Sequence, residues 1–191
     1  MSDEDLSHYS ALVSNWMSDP ACVTWCQGMD VPEVARSFGA DPASGIPMTF
    51  MDTEMEHYDE ALQTVLIGSL GDWSLAIEPN GGEGRSPGTI AALSKGGEAL
   101  SLYWDGPVKV ELNYAAHGRL IATIPKSPVA EWPAAARDRL LPYAWDLPFT
   151  MLPDEQWKVA AFTLASRLSH VRLTDQWLDR EHTRFVLSSV V

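Results

Sequence analysis

The sequence predicts an α+β fold, one domain over residues 1–191 with a mostly antiparallel sheet of about five to six strands and helices packed by its N- and C-terminal parts. Three observations lead there. β-branched and aromatic runs crowd the middle of the chain and are joined by short glycine turns rather than helical crossovers. Helical spacing of apolar residues dominates the two ends. Eight tryptophans, from Trp16 to Trp177, spread core material almost end to end, and 46% hydrophobic content supports a substantial core.

Taken in order, Leu6, Tyr9, Leu12, Val13 and Trp16 fall at helical spacing over residues 6–17, and Asp19-Pro20 stops that helix. ACVTWCQG, residues 21–28, is β-branched and aromatic in its middle and reads as a strand. Asp30-Val31-Pro32-Glu33 supplies an N-cap, an early proline and an N3 glutamate for a second helix, which Gly39 closes. Residues 41–50 read as loop. A third helix follows over 51–62, with Met51, Met55, Tyr58 and Leu62 on one face and Asp52, Glu56 and Glu60 in a straight acidic row beside it. TVLIGS (64–69) and DWSLAI (72–77) form a hairpin through Leu70-Gly71. A glycine-rich turn and a short helix lead to three strands, 98–104, 108–114 and 119–124, which make a β-meander over 98–124. The C-terminal part, 133–182, is helical: Pro133–Leu141, Asp154–Leu168 and a short helix opening at Thr174. The tail FVLSSVV is apolar and β-branched, so it either joins the sheet or meets another subunit.

The charge is distributed unevenly. Residues 1–80 carry 14 acidic side chains against one basic, Arg36, whereas residues 81–191 carry 12 of each, so the net charge of −13 belongs to the first 80 residues. Such a field attracts cationic partners and repels nucleic acid and anionic membrane. The opening MSDEDLSHYS has no basic segment before an apolar stretch, no apolar run approaches a membrane span, and two cysteines make no disulfide framework. The reading that follows is a cytoplasmic protein.

Motifs that carry chemistry are weak. Glu78-Pro79-Asn80-Gly81 follows a strand and precedes a glycine turn and a helix, the arrangement that cradles phosphate. The P-loop pattern fails there, because Pro79 occupies the first glycine position, Arg85 replaces lysine, and Glu78 and Glu83 would repel an anion. The alternative is a plain turn with Asn80 and Gly81 at positive φ. Glu54 and His57 share the spacing of di-iron carboxylate helices, but the second such pair is missing, so no metal and no cofactor is expected. Cys22 and Cys26 point to one face of a strand and read as small core residues. Trp73 and Trp104 likewise read as core.

GDWSLAIEPNGGEG and EALSLYW, with ACVTWCQGMDVPEVARSFGAD upstream and VRLTDQWLDR near the end, resemble a bacterial domain-of-unknown-function family, numbered 6461 and common in actinobacteria. The resemblance runs in three blocks from about residue 16 to about residue 180. It implies a soluble α+β domain in a bacterial cytoplasm and brings no activity, cofactor or catalytic residue with it. It also implies a large aromatic, typically tryptophan, after the Asn-Gly, where this chain has Gly82.

Two functions fit these features. The first is a non-catalytic interaction protein, immunity- or antitoxin-like or regulatory, whose acidic residues Asp52, Glu54, Glu56, Asp59 and Glu60 meet a cationic protein partner. The second is a small ligand-binding domain or enzyme at the Glu78–Arg85 loop, built from Asp72, Glu78, Asn80 and Arg85. A homo-oligomer through an edge strand or the C-terminal tail is compatible with either.

Overall fold

The computed structural model describes residues 2–17, 19–60, 62–106, 109–149 and 153–187, with the backbone alone for 2–3 and 58–60. Among these residues the helices are α1 (Ser2–Trp16), α2 (Val31–Ser37), α3 (Phe50–Glu60), α4 (Pro87–Leu93), α5 (Ala134–Ala144), α6 (Asp154–Ser169) and α7 (Asp175–Leu178). The strands are β1 (Ala21–Gln27), β2 (Ile46–Met48), β3 (Thr64–Leu70), β4 (Trp73–Pro79), β5 (Glu98–Asp105), β6 (Lys109–Ala116), β7 (Arg119–Pro125) and β8 (His182–Val186). All eight join one antiparallel sheet in the order β2-β8-β3-β4-β1-β5-β6-β7.

The α+β class stands, but five to six strands is an undercount. The two additions are β2, inside the stretch read as loop, and β8, which takes up the first part of the apolar tail. β2 is three residues at the sheet edge, where Pro47 can sit without interrupting an inner ladder. β8 mixes charge with aromatics (HTRFV) and becomes a strand through pairing with β2 and β3 on its two sides. Residues 188–191, the rest of the tail, lie outside the described residues.

Helices cover both faces of the sheet, which is why β4 is buried along its whole length. On the first face Trp25, Leu66, Trp73, Leu75, Leu100, Trp104 and Leu112 meet α1, α5 and α6, so Trp73 and Trp104 share one core. Phe162 lies at its centre, edge-on to Trp25 and Trp104 and stacked on Tyr9. On the second face Val65, Ile67, Ala76, Ala99 and Ala115 meet α2 and α4. Caps match the local sequence: Asp30 and Glu33 exchange both bonds of a capping box at 2.9 Å, and Gly39 leaves α2 at φ 77°. Ser86 caps α4 ahead of Pro87, and Thr174 caps α7. α5 runs past its expected end at Leu141, carrying Pro142 inside its last turn.

The largest departure is the orientation of α3. Its periodicity turns Met51 and Met55 inward on paper, yet they are 46% and 51% exposed, while Phe50 and Thr53 are buried. Phe50 fills the first core against Trp16.

Candidate functional site

The Glu78–Arg85 loop is built from the strand that precedes it. Pro79 and Asn80 occupy the centre of a turn closed by the Gly81 N–H on the Glu78 carbonyl (3.2 Å), with Asn80 at φ 54° and its N–H donating to the Pro20 carbonyl. Gly81 does not share the positive φ expected of it. It is needed for space instead, since a Cβ there would lie 2.7 Å from the Glu78 Cβ. The chain then bends through a 3-10 turn, Glu83–Arg85, into α4.

Glu78 is 1% exposed and holds this loop down. One carboxylate oxygen accepts the Glu83 N–H and the other the Gly84 N–H, both at 2.8 Å. Gly84 sits so close to the sheet that a Cβ would fall 2.5 Å from the Thr24 Oγ1. Burial pushes the Glu78 carboxyl up to about 7, against the pull of those two N–H bonds and of a hydrogen bond with Cys22. Beneath the loop, pairing across four strands sets Glu78, Cys22, Tyr103 and Glu111 in one row on the second face. Arg85 spans the far end, donating to Glu111 at 2.9 Å and lying 4.2 Å over the Tyr103 ring, while Lys109 pairs with the other Glu111 oxygen.

The loop therefore sets Glu78 at one end of this row and Arg85 at the other, with Asn80 in the turn after Glu78, and leaves Asp72 outside. Asp72 lies in the exposed turn before β4, about 20 Å away along the strand at the ordinary rise. Its carbonyl accepts the Gly28 N–H there. The N–H groups of Glu83 and Gly84, which a phosphate would need, are already used by Glu78. A cleft of about 480 Å³ opens alongside, lined by Phe38, Gln63, Glu83, Thr89 and Leu187 rather than by Glu78. Glu83 is tied there by the hydroxyls of Ser86 and Thr89.

Cys22 and Cys26 are buried free thiols, as read from the strand pattern. Burial pushes both thiols up, and Cys22 lies 3.2 Å from the Ser101 hydroxyl. Tyr103, Glu111 and Ser101 were missed as members of this cluster. Strand alternation does put them on one face, but nothing local shows that β1 lies between β4 and β5.

The acidic helix is less free than its sequence implies. Asp52 accepts from the Thr49 hydroxyl at 2.7 Å and acts as a helix-end partner. Glu56 pairs with Arg184 of β8, their side chains 13% and 9% exposed. Glu54 is half-buried, and burial followed by the nearby Asp19 charge pushes its carboxyl up. The side chains of Asp59 and Glu60 lie outside the described residues. The His57 Nδ1–H donates to the Leu62 carbonyl (3.0 Å). Among the described residues no three His, Cys, Asp or Glu side chains gather to hold a metal ion, and no helix is long and apolar enough to cross a membrane.

Fold and loop define a class of α+β protein, one wide antiparallel sheet with a buried carboxylate clasping a glycine loop to its second face. The chain belongs to the family of unknown function DUF6461, whose model matches residues 1–190. No curated protein and no solved structure matches it. At position 82, where the family resemblance implies an aromatic, a Cβ would meet Tyr103 at 3.1 Å and the Arg85 Nε at 3.2 Å. Glycine there leaves the Arg85–Tyr103 stack without such a neighbour.

Proposed function

We propose that this is a non-catalytic interaction protein of the bacterial, actinobacterial-type cytoplasm, which binds a cationic protein partner in the manner of an immunity protein, antitoxin or regulator. The observation that carries the reading is the outward turn of Met51 and Met55 on a helix whose own charges are acidic. Ile46 on the neighbouring edge strand is also exposed. Apolar contact supplies affinity in such a face, and the surrounding negative field speeds encounter with a basic surface. Pro47 lacks an N–H on the edge strand, which disfavours docking by strand addition and favours the helix face. A homo-oligomer built through an edge strand is served less well by this edge for the same reason.

The test is affinity capture from the source cell with the wild type and with Met51→Lys/Met55→Lys, at low salt and at physiological salt. The reading expects a basic protein retained by the wild type, weakened as salt rises, and lost with the double variant. Retention that is indifferent to salt or to the two lysines refutes it.

A second reading, a small ligand-binding domain or enzyme at the Glu78–Arg85 loop, draws on the Glu78 carboxyl titrating near neutrality. It is the weaker of the two, because Glu78, Arg85 and Glu111 already satisfy one another or the loop backbone.

A further inference from the structure

A separate cleft lies at the other end of the sheet, where β1 ends, β5 begins and α5 crosses above. It holds about 480 Å³, within the roughly 300–1,000 Å³ usual for small-molecule sites. Gln27, Glu98, Tyr114, His117 and Arg139 line it, from three strands, a turn and a helix. We propose that this cleft binds a small neutral molecule bearing several hydroxyl groups, a sugar or polyol.

The polar groups are held in place before any ligand arrives. Arg139 forks onto Glu98, with Nε donating at 2.7 Å and Nη2 at 2.6 Å, and the Tyr114 hydroxyl donates to the same carboxylate at 2.5 Å. Burial alone would raise the Glu98 carboxyl, but Arg139 and Tyr114 outweigh it and hold it ionised below the usual range. The Gln27 Oε1 accepts the Glu98 N–H at 3.2 Å. That approach requires Gly97, because a Cβ there would lie 2.4 Å from the same oxygen. His117 stands in the left-handed turn after β6 at φ 50°, pinned by its own N–H to the Gly97 carbonyl.

What remains free decides the ligand class. The Gln27 amide keeps its two N–H donors, and a carboxylate with about four lone-pair sites has given three of them to Arg139 and Tyr114. Donors and an acceptor thus line one cleft whose central charges cancel. A hydroxyl both donates and accepts, so it matches this mixture, whereas an anion faces Glu98 and a cation faces Arg139. A nucleobase would need an open aromatic face, but Tyr114 is 4% exposed and Arg139 already lies over the Tyr143 ring. Ile121 offers an aliphatic wall instead.

The experiment is an NMR titration of the isotope-labelled full chain with D-glucose, N-acetylglucosamine, inorganic phosphate and adenosine as separate probes. The proposal expects saturable shifts at the Gln27, Glu98 and His117 amides with at least one of the two sugars. It expects that affinity to fall about tenfold in Gln27→Ala, which also frees the Glu98 N–H and so lowers the melting temperature while the chain still folds. His117→Ala, at an exposed turn, serves in the same way if the first variant fails to fold. No saturable shift with either sugar, saturation with phosphate or adenosine alone, or unchanged affinity in the folded variants overturns it.

Discussion

Glu78 is ionised at a cost, and the cost has a sign. Its carboxyl titrates at an ordinary value of 4.5 in the unfolded chain and at about 7 in the fold, where burial outweighs the loop N–H bonds. Between those two values the native state binds more protons than the unfolded state, so stability falls as pH rises from about 4.5 to about 7 and levels off above. The full span is worth about 3 kcal/mol. Urea unfolding at pH 5 and pH 8 checks this, and Glu78→Gln should flatten the difference because glutamine does not titrate. A wild type equally stable at both pH values, or a slope that survives the substitution, contradicts the assignment.

At the scale of elements, α3 shows how a partner reverses a local argument. Like charges four residues apart repel, so removing the acidic row looks neutral or mildly stabilising by a few tenths of a kcal/mol per pair. Arg184 changes that at Glu56, because the pair is largely shielded from solvent. Glu56→Gln leaves the guanidinium buried without its counter-ion and should cost about 3 kcal/mol. Asp52→Asn, at an exposed helix end, should cost less than about 1 kcal/mol. Denaturant midpoints of the two variants give the comparison, and equal midpoints would mean that the Arg184 pair contributes nothing.

Over the whole molecule, the acidic and the balanced parts of the chain are interleaved rather than side by side. β8, from the balanced part, lies between β2 and β3 of the acidic part. Arg184 meets Glu56 there, and Arg172 meets Asp5 and Glu4 of α1. Part of the negative charge of the first 80 residues is therefore matched within the fold. Truncation after His182 removes an inner strand together with Phe185, which is 1% exposed. The truncated chain should lose cooperative unfolding, read by circular dichroism during heating. A truncated chain that still melts sharply at the wild-type temperature would show that β8 is dispensable.

The sequence by itself determined what neighbours in the chain can settle. Asp30 and Glu33 announce a capped helix, the 98–124 turns announce a meander, and Cys22 and Cys26 announce a buried strand, because caps, turns and alternation act over a few residues. Glu78 was legible as a candidate, and so was its turn. Its partners Cys22 and Tyr103 were not, since they depend on β1 lying between β4 and β5. Only tertiary structure decided which side of α3 faces water, that HTRFV is a strand, and that Glu98 and Arg139 meet across 41 residues. Such outcomes depend on desolvation and on pairing between distant segments, and the free energy of both belongs to the packed chain rather than to any stretch of it.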